Sequence, residues 1–213
     1  MNQLPSDIYA IVVPLAIVLL SLSVHEAAHA WTADRLGDPT ARMLGRVSFN
    51  PIVHIDPIGT ILLPLIAAVS NLPIIGWAKP VPVNINRLPH GRRDFMVVAA
   101  AGPASNLVLA VLAAIGALIV PPAAGAPSPY LDPVNFFYAA GTINILLAVF
   151  NLVPIPPLDG GNVLAGVLPH GAAHVFDVIR PFGFVLLYAL MFTGVLAQII
   201  MPPALFLRGL LFP

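Results

Sequence analysis

The sequence lacks cysteine and has few charged residues. Because cysteine is absent, the protein can form neither disulfide bonds nor thiolate metal sites, and any metal must bind His, Asp, Glu or backbone oxygen. Charged residues make up 8% of the chain and hydrophobic residues 59%, whereas a soluble domain typically carries about a quarter charged residues. This composition predicts an integral membrane protein whose surface mostly faces the lipid bilayer.

The chain also lacks an excess of charge of either sign and a long polar stretch. Its formal net charge is zero, so we expect no nucleic-acid partner. The first apolar run is too long for a cleavable signal peptide and has no basic residue before it, which predicts a retained transmembrane helix. We expect residues 1–213 to form one integral membrane domain, with a loop and re-entrant region at about 55–93. The sequence leaves the oligomeric state open.

Long apolar segments predict an all-α polytopic membrane protein. A spanning helix needs roughly 20 apolar residues, and the candidate segments are 8–33, 57–75, 95–119, 134–153 and 181–200. The apolar tail after them contains Pro202 and Pro203, which favour an interfacial segment over a further span. We therefore expect about 4–5 transmembrane helices, a re-entrant segment and a short β-hairpin.

The basic residues of the loops predict how the chain crosses the membrane. Loop 121–133 has no basic residue. Loops 34–56 and 76–94 contain Arg35, Arg42, Arg46, Lys79, Arg87, Arg92 and Arg93. The positive-inside rule then places the first two loops in the cytoplasm, and loop 121–133 and the N-terminus outside the cell membrane. These placements agree only if segment 57–75 enters and leaves on the same side.

Three prolines make segment 57–75 suitable for such a re-entrant path. Pro57 and Pro73 lie near its ends and Pro64 at its centre, and proline interrupts the hydrogen-bond ladder of a helix. The alternative is an ordinary spanning helix with one violation of the positive-inside rule.

The stretch HEAAH, residues 25–29, contains the only glutamate of the chain. On a helix, positions four apart share one face, so His25 and His29 can bind one metal ion. Zinc lowers the pKa of a bound water to about 7, and Glu26 is placed to accept its proton. A carboxylate inside a span costs about 2.5–3.5 kcal/mol on insertion scales, which favours a functional role. The alternative is a buried polar cluster that bonds neighbouring backbone.

A catalytic zinc site takes three protein ligands, so a third residue is needed. Asp159 follows an apolar run in NLVPIPPLDGG, where Pro154, Pro156 and Pro157 should unwind the chain. We expect the two glycines after Asp159 to form a tight turn. If segment 57–75 crossed the membrane, Asp159 would lie near the face of the membrane opposite to the two histidines. A shared metal site therefore requires a re-entrant segment 57–75, as the loop charges do. An Asp-Gly turn at a helix end is the alternative interpretation.

These motifs resemble the site-2 proteases, zinc metalloproteases that cut substrates inside the membrane. HEAAH, GPASN (102–106) and NLVPIPPLDGG (151–161) occur in the family's order, and FNPIVHIDPIGTILLP and GWAKPVPVN resemble its compact bacterial and archaeal branch without a PDZ domain. The resemblance covers about residues 20–165. It implies that His25, His29 and Asp159 bind one Zn2+ ion per chain and that Glu26 is the catalytic base. It also matches Asn151 to an asparagine proposed to hold the substrate or its oxyanion.

Other polar and aromatic residues have structural interpretations. We expect Gly102 and Asn106 to serve helix packing rather than catalysis. His54 is predicted to be a loop histidine that bonds backbone, with a fourth, inhibitory or supporting role at the metal as the alternative. Trp31 and Trp77 are predicted to anchor the protein at the membrane interface.

The function predicted from this pattern is an intramembrane zinc metalloendopeptidase with its active site toward the cytoplasm. Its substrates would be single-span membrane proteins in the lipid bilayer. The alternatives are a zinc transporter, a catalytically inactive family member that binds membrane proteins, and a zinc hydrolase acting on a lipid. A transporter usually needs a polar path through the bilayer, whereas Glu26 is the one acidic residue predicted inside an apolar span.

Overall fold

The computed structural model describes residues 6–63, 66, 69–70, 76–123, 125–126 and 128–213. Its fully described α-helices, numbered in chain order, are α1 Ser6–Arg35, α2 Thr40–Met43, α3 Arg92–Ile119, α4 Pro133–Asn151, α5 Asp159–Val167, α6 His170–Ile179, α7 Gly183–Phe192 and α8 Val195–Leu211. Short 3-10 turns lie at Pro51–His54, Ile85–Arg87, Pro129–Leu131 and Arg180–Phe182, and a π-helical turn lies at Pro57–Leu62. The all-α class is confirmed.

The β-hairpin prediction is wrong for the described residues, which contain no strand. Residues 76–84 belong to neither a helix nor a strand. The N–H groups of every second residue, 77, 79 and 81, bind partners elsewhere in the protein, as in an extended chain. Pro80 and Pro82 have no N–H to donate to a strand ladder. The Lys79 N–H is used elsewhere, because it donates to the His54 carbonyl at 2.8 Å.

Three of the helices are long and apolar enough to cross a membrane: Ile8–Arg35, Arg92–Ile119 and Pro133–Asn151. They correspond to the predicted segments 8–33, 95–119 and 134–153. A fourth span would result if Arg180–Phe192 and Val195–Leu211 formed one crossing, but these two pieces are bent by 79°. The structure therefore supports a multi-pass protein and leaves the predicted count of 4–5 helices as an expectation.

The C-terminal helix breaks at a different residue from the one expected. Gly194 has a φ of 75°, in the left-handed region that glycine adopts readily, and α8 begins directly after it. Helix α8 then continues through Pro202 and Pro203 to Leu211. The two prolines remove donors from the ladder without ending the helix, so they do not divide the apolar tail from segment 181–200.

Segment 57–75 is only partly described. Pro64 and Pro73 lie outside the described residues, so the predicted effect of these two prolines stays a prediction. Asp56 caps the turn at the start of the segment by accepting the N–H groups of Ile58 and Gly59. Beyond the segment, the chain returns to this turn, because Thr60 donates its hydroxyl to the Trp77 carbonyl at 2.8 Å.

Helix α3 is central and packs against α1, α4 and α5. Its contact with α4 uses small residues, since Ala110 and Ala114 lie buried against Ile145. Small side chains let helices approach closely in a membrane. This packing brings the middle of α1 and the start of α5 to the same side of α3, where the site residues meet.

Candidate metal centre and active site

His25, His29 and Asp159 form a cluster between α1 and α5, in which the two histidines are buried and Asp159 is half-buried. The two histidines lie four residues apart on α1, and their Nε2 atoms are 3.0 Å from each other. Asp159 begins α5, and its Oδ2 lies 3.1 Å from His25 Nε2 and 3.3 Å from His29 Nε2. These three atoms form a group that could hold a metal ion.

The start of α5 is shaped by two glycines, although not by a turn as expected. Gly160 and Gly161 lie in the first turn of α5 and are buried. A Cβ at Gly160 would overlap the Leu152 carbonyl, and a Cβ at Gly161 would press against the backbone of Pro156. The glycines are therefore needed because the preceding chain crosses directly over the helix that carries Asp159.

The outer nitrogen of each histidine faces a hydrogen-bond acceptor. His25 Nδ1 lies 2.6 Å from Asn106 Oδ1, and His29 Nδ1 lies 2.7 Å from the Val98 carbonyl. Because both partners accept, each Nδ1 carries a proton and donates. In the neutral histidines each Nε2 then presents a lone pair toward Asp159, as a metal ligand does.

The geometry of these atoms fits a metal ion. Asp159 Oδ2 is buried and has no hydrogen-bond partner among the described residues. Two imidazole lone pairs and a carboxylate oxygen therefore face one another, and a cation between them removes their repulsion. A tetrahedral zinc ion with bonds of about 2.0–2.2 Å holds its ligand atoms roughly 3.3–3.6 Å apart, close to the observed 3.0, 3.1 and 3.3 Å.

Gly102 and Asn106 of α3 contact the histidines, which the packing interpretation missed. A Cβ on Gly102 would overlap Nε2 of both His25 and His29, and Asn106 is the partner of His25. The signal in the sequence was spacing, because Val98, Gly102 and Asn106 are separated by four residues, as the two histidines are. That spacing places them on one face of α3.

Glu26 lies beside the cluster and contacts the extended chain after segment 57–75. Its Oε2 accepts the Val81 N–H at 3.2 Å, and the residue is half-buried. The far end of this chain is held by Asp38, whose Oδ2 accepts the Asn84 N–H at 2.6 Å. The N–H groups of Val81 and Asn84 are therefore both held by carboxylates, one on α1 and one in the loop after α1.

Asp38 is itself a buried carboxylate at the end of the loop after α1. Burial alone would raise its pKa, but bonds from the Thr40 hydroxyl and from the N–H groups of Asn84 and Thr40, with Arg87 nearby, hold the pKa below its ordinary value. The ionised form is therefore favoured in the folded protein.

Asn151 and His54 lie outside the three-residue cluster. Asn151 ends α4 and donates its amide N–H to the Leu147 carbonyl at 2.9 Å, so its contact with a substrate stays a prediction. His54 Nε2 lies 2.8 Å from the Ser48 carbonyl, which confirms the loop histidine that bonds backbone.

The two tryptophans have different environments. Trp31 is exposed, and the Arg35 guanidinium lies 5.0 Å from its ring centre. Trp77 packs near Phe184, with ring centres 4.8 Å apart. The interface-anchor role stays a prediction for both.

Comparisons with known proteins identify the family. Residues 123–190 match the sequence model of Peptidase family M50. The chain is 36% identical over 190 residues to "Putative zinc metalloprotease YwhC" of Bacillus subtilis (strain 168), a match that covers 87% of this chain and 82% of that protein. No solved structure matches the chain.

Two proteins with the same printed description, both called Rip2, are similar over a shorter share of their length. Rip2 of Mycolicibacterium smegmatis is 31% identical over 84% of this chain and 66% of that protein. Rip2 of Mycobacterium tuberculosis (strain H37Rv) is 31% identical over 71% of this chain and 54% of that protein. Together with the apolar helices and the cluster above, these matches show that the chain belongs to peptidase family M50, the site-2 protease family, and is a multi-pass membrane metalloprotease.

Proposed function

We propose that the protein is an intramembrane zinc metalloendopeptidase that cleaves transmembrane segments of membrane-anchored proteins. The observation that carries the proposal is the convergence of His25 Nε2, His29 Nε2 and Asp159 Oδ2, two of them on an apolar helix of spanning length. We assign these atoms as the ligands of one Zn2+ ion per chain. When bound, zinc supplies a Lewis acid that polarises the scissile carbonyl and makes a water molecule nucleophilic near neutral pH.

Glu26 is the residue that we assign as general base. It follows His25 on α1, and the Val81 N–H holds one of its carboxylate oxygens. The second oxygen takes the proton from the attacking water and passes it to the leaving amine. Proton transfer by a positioned side chain contributes about 10²–10⁴-fold to a rate, which sets the loss expected when Glu26 is neutralised.

The active site is proposed to open toward the cytoplasm, with the N-terminus outside. The basic residues of loops 34–56 and 76–94 support this orientation through the positive-inside rule. The bond from Thr60 to Trp77 supports a re-entrant path, because it joins the start of segment 57–75 to the chain that follows the segment.

The extended residues 76–84 are proposed to hold the unwound substrate. The N–H groups of residues 77, 79 and 81 are bound within the protein, and the bonding groups of an extended chain alternate in direction along it. The opposite edge therefore carries Ala78, Pro80 and Pro82, of which the prolines have no N–H. We expect the substrate to donate its own N–H groups to carbonyl oxygens there.

Asn151 is proposed to bind the substrate carbonyl. Its amide has two hydrogens, and one of them binds the Leu147 carbonyl. We assign the other to the substrate or to the negative charge that develops on its carbonyl oxygen. Single-span proteins are the expected substrates, because a helix already in the bilayer reaches α1 by lateral movement.

The deciding experiment is cleavage of a labelled single-span helix by the purified protein in detergent. The Glu26→Gln variant is the matched control, because the amide keeps the size of the side chain and loses its basicity. We expect the parent to cleave, a zinc chelator to stop cleavage and added zinc to restore it. Glu26→Gln should bind zinc like the parent and cleave about 10²–10⁴-fold more slowly.

Two results would contradict the proposal. Equal cleavage by the parent and by Glu26→Gln would show that a contaminant cleaves the helix. Stoichiometric zinc binding by both proteins, without cleavage of any helix in a panel of single-span substrates, would indicate a metal protein that is not a protease. Photo-crosslinkers at position 78 test the proposal that residues 76–84 hold the substrate. That proposal is wrong if the crosslinkers never reach a substrate trapped on Glu26→Gln.

A further inference from the structure

A chain of buried side chains connects three helices to His25. It begins at Ser21 on α1, whose hydroxyl oxygen accepts Asn144 Nδ2 of α4 at 2.9 Å. Asn144 Oδ1 accepts Asn106 Nδ2 of α3 at 2.9 Å, and Asn106 Oδ1 lies 2.6 Å from His25 Nδ1. The exposed fractions of Ser21, Asn106 and Asn144 are 4%, 0% and 3%, so solvent does not compete for these bonds.

One backbone carbonyl determines the direction of every hydrogen bond between Asn144, Asn106 and His25. Asn144 Nδ2 also lies 2.9 Å from the Ala140 carbonyl, which can only accept. The amide of Asn144 must therefore point its nitrogen toward Ala140 and its oxygen toward Asn106. Asn106 must then donate with its nitrogen, so its oxygen faces His25, and His25 must donate from Nδ1.

We propose that Asn144 and Asn106 are positioning residues that hold His25 in the Nδ1–H tautomer. This tautomer keeps a lone pair on His25 Nε2, the atom that lies 3.1 Å from Asp159 Oδ2. The inference rests on the proposed zinc site and assigns to the two asparagines a role beyond helix packing. The hydrogen-bonded series from Ser21 through Asn144 and Asn106 to His25 therefore acts as a relay. His29 needs no such relay, because its Nδ1 donates directly to the Val98 carbonyl.

The relay has a specific mode of failure. If Asn144 were replaced by a side chain without polar atoms, nothing would prevent the Asn106 amide from rotating by half a turn. Its nitrogen would then face His25 and require an acceptor at Nδ1. The His25 proton would move to Nε2, where it would block the lone pair that binds the metal.

Four variants distinguish this role from packing. Asn144→Leu removes the relay two bonds away from His25, and Asn106→Leu removes the direct partner. Asn144→Asp and Asn106→Asp keep an acceptor where the relay needs one. Ile145→Ala is the matched control, because Ile145 is next to Asn144 on α4, is 1% exposed and belongs to an apolar cluster with Ala110 and Ala114.

The first measurement is zinc affinity by chelator competition, on protein purified in detergent. We expect Asn144→Leu and Asn106→Leu to bind zinc about 10–100-fold more weakly, and both Asp variants to bind it more tightly than the corresponding Leu variants. Ile145→Ala should lower the midpoint of thermal unfolding and leave zinc affinity unchanged. Packing alone is the correct explanation if zinc affinity falls in Ile145→Ala as much as in Asn144→Leu.

The second measurement is the His25 tautomer in zinc-free protein, by NMR of protein labelled with 15N in its histidines. A His25→Ala variant assigns the signal. The parent must show the Nδ1–H tautomer, and Asn144→Leu must shift it toward Nε2–H. An Nε2–H tautomer in the parent overturns the relay even if the variants do not fold. The parent spectrum tests the relay without zinc, whereas a parent that binds no zinc contradicts the proposed function.

Discussion

The two halves of the candidate site are held by different kinds of contact. The metal cluster lies in the bundle of α1, α3, α4 and α5, where helix spacing and close packing fix the histidines from behind. Glu26 instead depends on the loop between α1 and α3, where carboxylate side chains hold the chain by accepting backbone N–H groups. This difference predicts that the proposed metal binding and the proposed proton transfer can be disturbed separately.

The largest effect is expected where the bundle allows no additional atom. Gly102→Ala places a methyl group on the Nε2 atoms of both histidines, so at least one ring must leave the cluster. We expect the purified variant to contain no zinc when its metal content is measured by elemental analysis. Gly116→Ala on the same helix is the control, because the atoms nearest to its methyl group belong to the Phe137 ring. It should retain zinc, and loss of zinc in both variants would contradict this explanation.

The next prediction distinguishes the role of the proposed base, Glu26, from the role of the proposed metal ligand Asp159. Asp159→Ala should abolish both zinc binding and cleavage, whereas Glu26→Gln should reduce cleavage about 10²–10⁴-fold and leave zinc bound. Zinc content and cleavage rate measured on the same preparations check this difference. If Glu26→Gln loses zinc together with activity, Glu26 belongs to the metal half of the site.

A smaller effect is expected at the loop contact of the base. Val81→Pro removes the N–H that Glu26 accepts and suits an extended chain already flanked by prolines. We expect cleavage to fall about tenfold, the effect of losing one hydrogen bond to a charged group, with no change in zinc content. Val81→Ala keeps the N–H and should cleave like the parent. Equal losses in the two variants would assign the effect to the side chain.

The smallest effect concerns stability in acid. Because the pKa of Asp38 is lowered in the folded protein, its ionised form stabilises the loop above the unfolded pKa of about 3.9. This contribution is lost as the pH falls through the folded pKa, since protonation weakens the bonds to Thr40 and Asn84. The midpoint of thermal unfolding should fall with pH in this range, and the fall should be shallower in Asp38→Asn. Parallel curves would exclude Asp38 as the cause.

The bundle half of the site could largely be predicted from the sequence. The three spanning helices follow from apolar length, and the approach of His25 to His29 follows from helical spacing. Asp159 was selected because it follows a proline-rich break, and the structure brings it to the histidines. The sequence predicts packing for Asn106 because an amide can bond across helices. It does not predict the bond to His25, because spacing along one chain does not show which helix faces which.

The loop half could not be predicted in the same detail. The bond between Val81 and Glu26 joins residues far apart in sequence, and no periodic pattern marks it. The expected hairpin failed because the alternation of residues suits a strand while the two prolines remove the donors that pairing needs. The helix break at Gly194 was missed because Pro202 and Pro203 gave a stronger signal, although a membrane helix tolerates prolines in its interior.

The bond between Thr60 and Trp77 has a consequence for how such proteins can diversify. A flexible segment whose two ends are bonded to each other can change its length at a small entropic cost. Each doubling of its length adds only about 0.6 kcal/mol to the free energy of closing the loop. Insertions between residues 60 and 77 would leave the bond, the extended chain beyond it and the glutamate in place. The length of the chain between residues 60 and 77 can therefore vary while the bond at its two ends and the neighbouring glutamate keep their places.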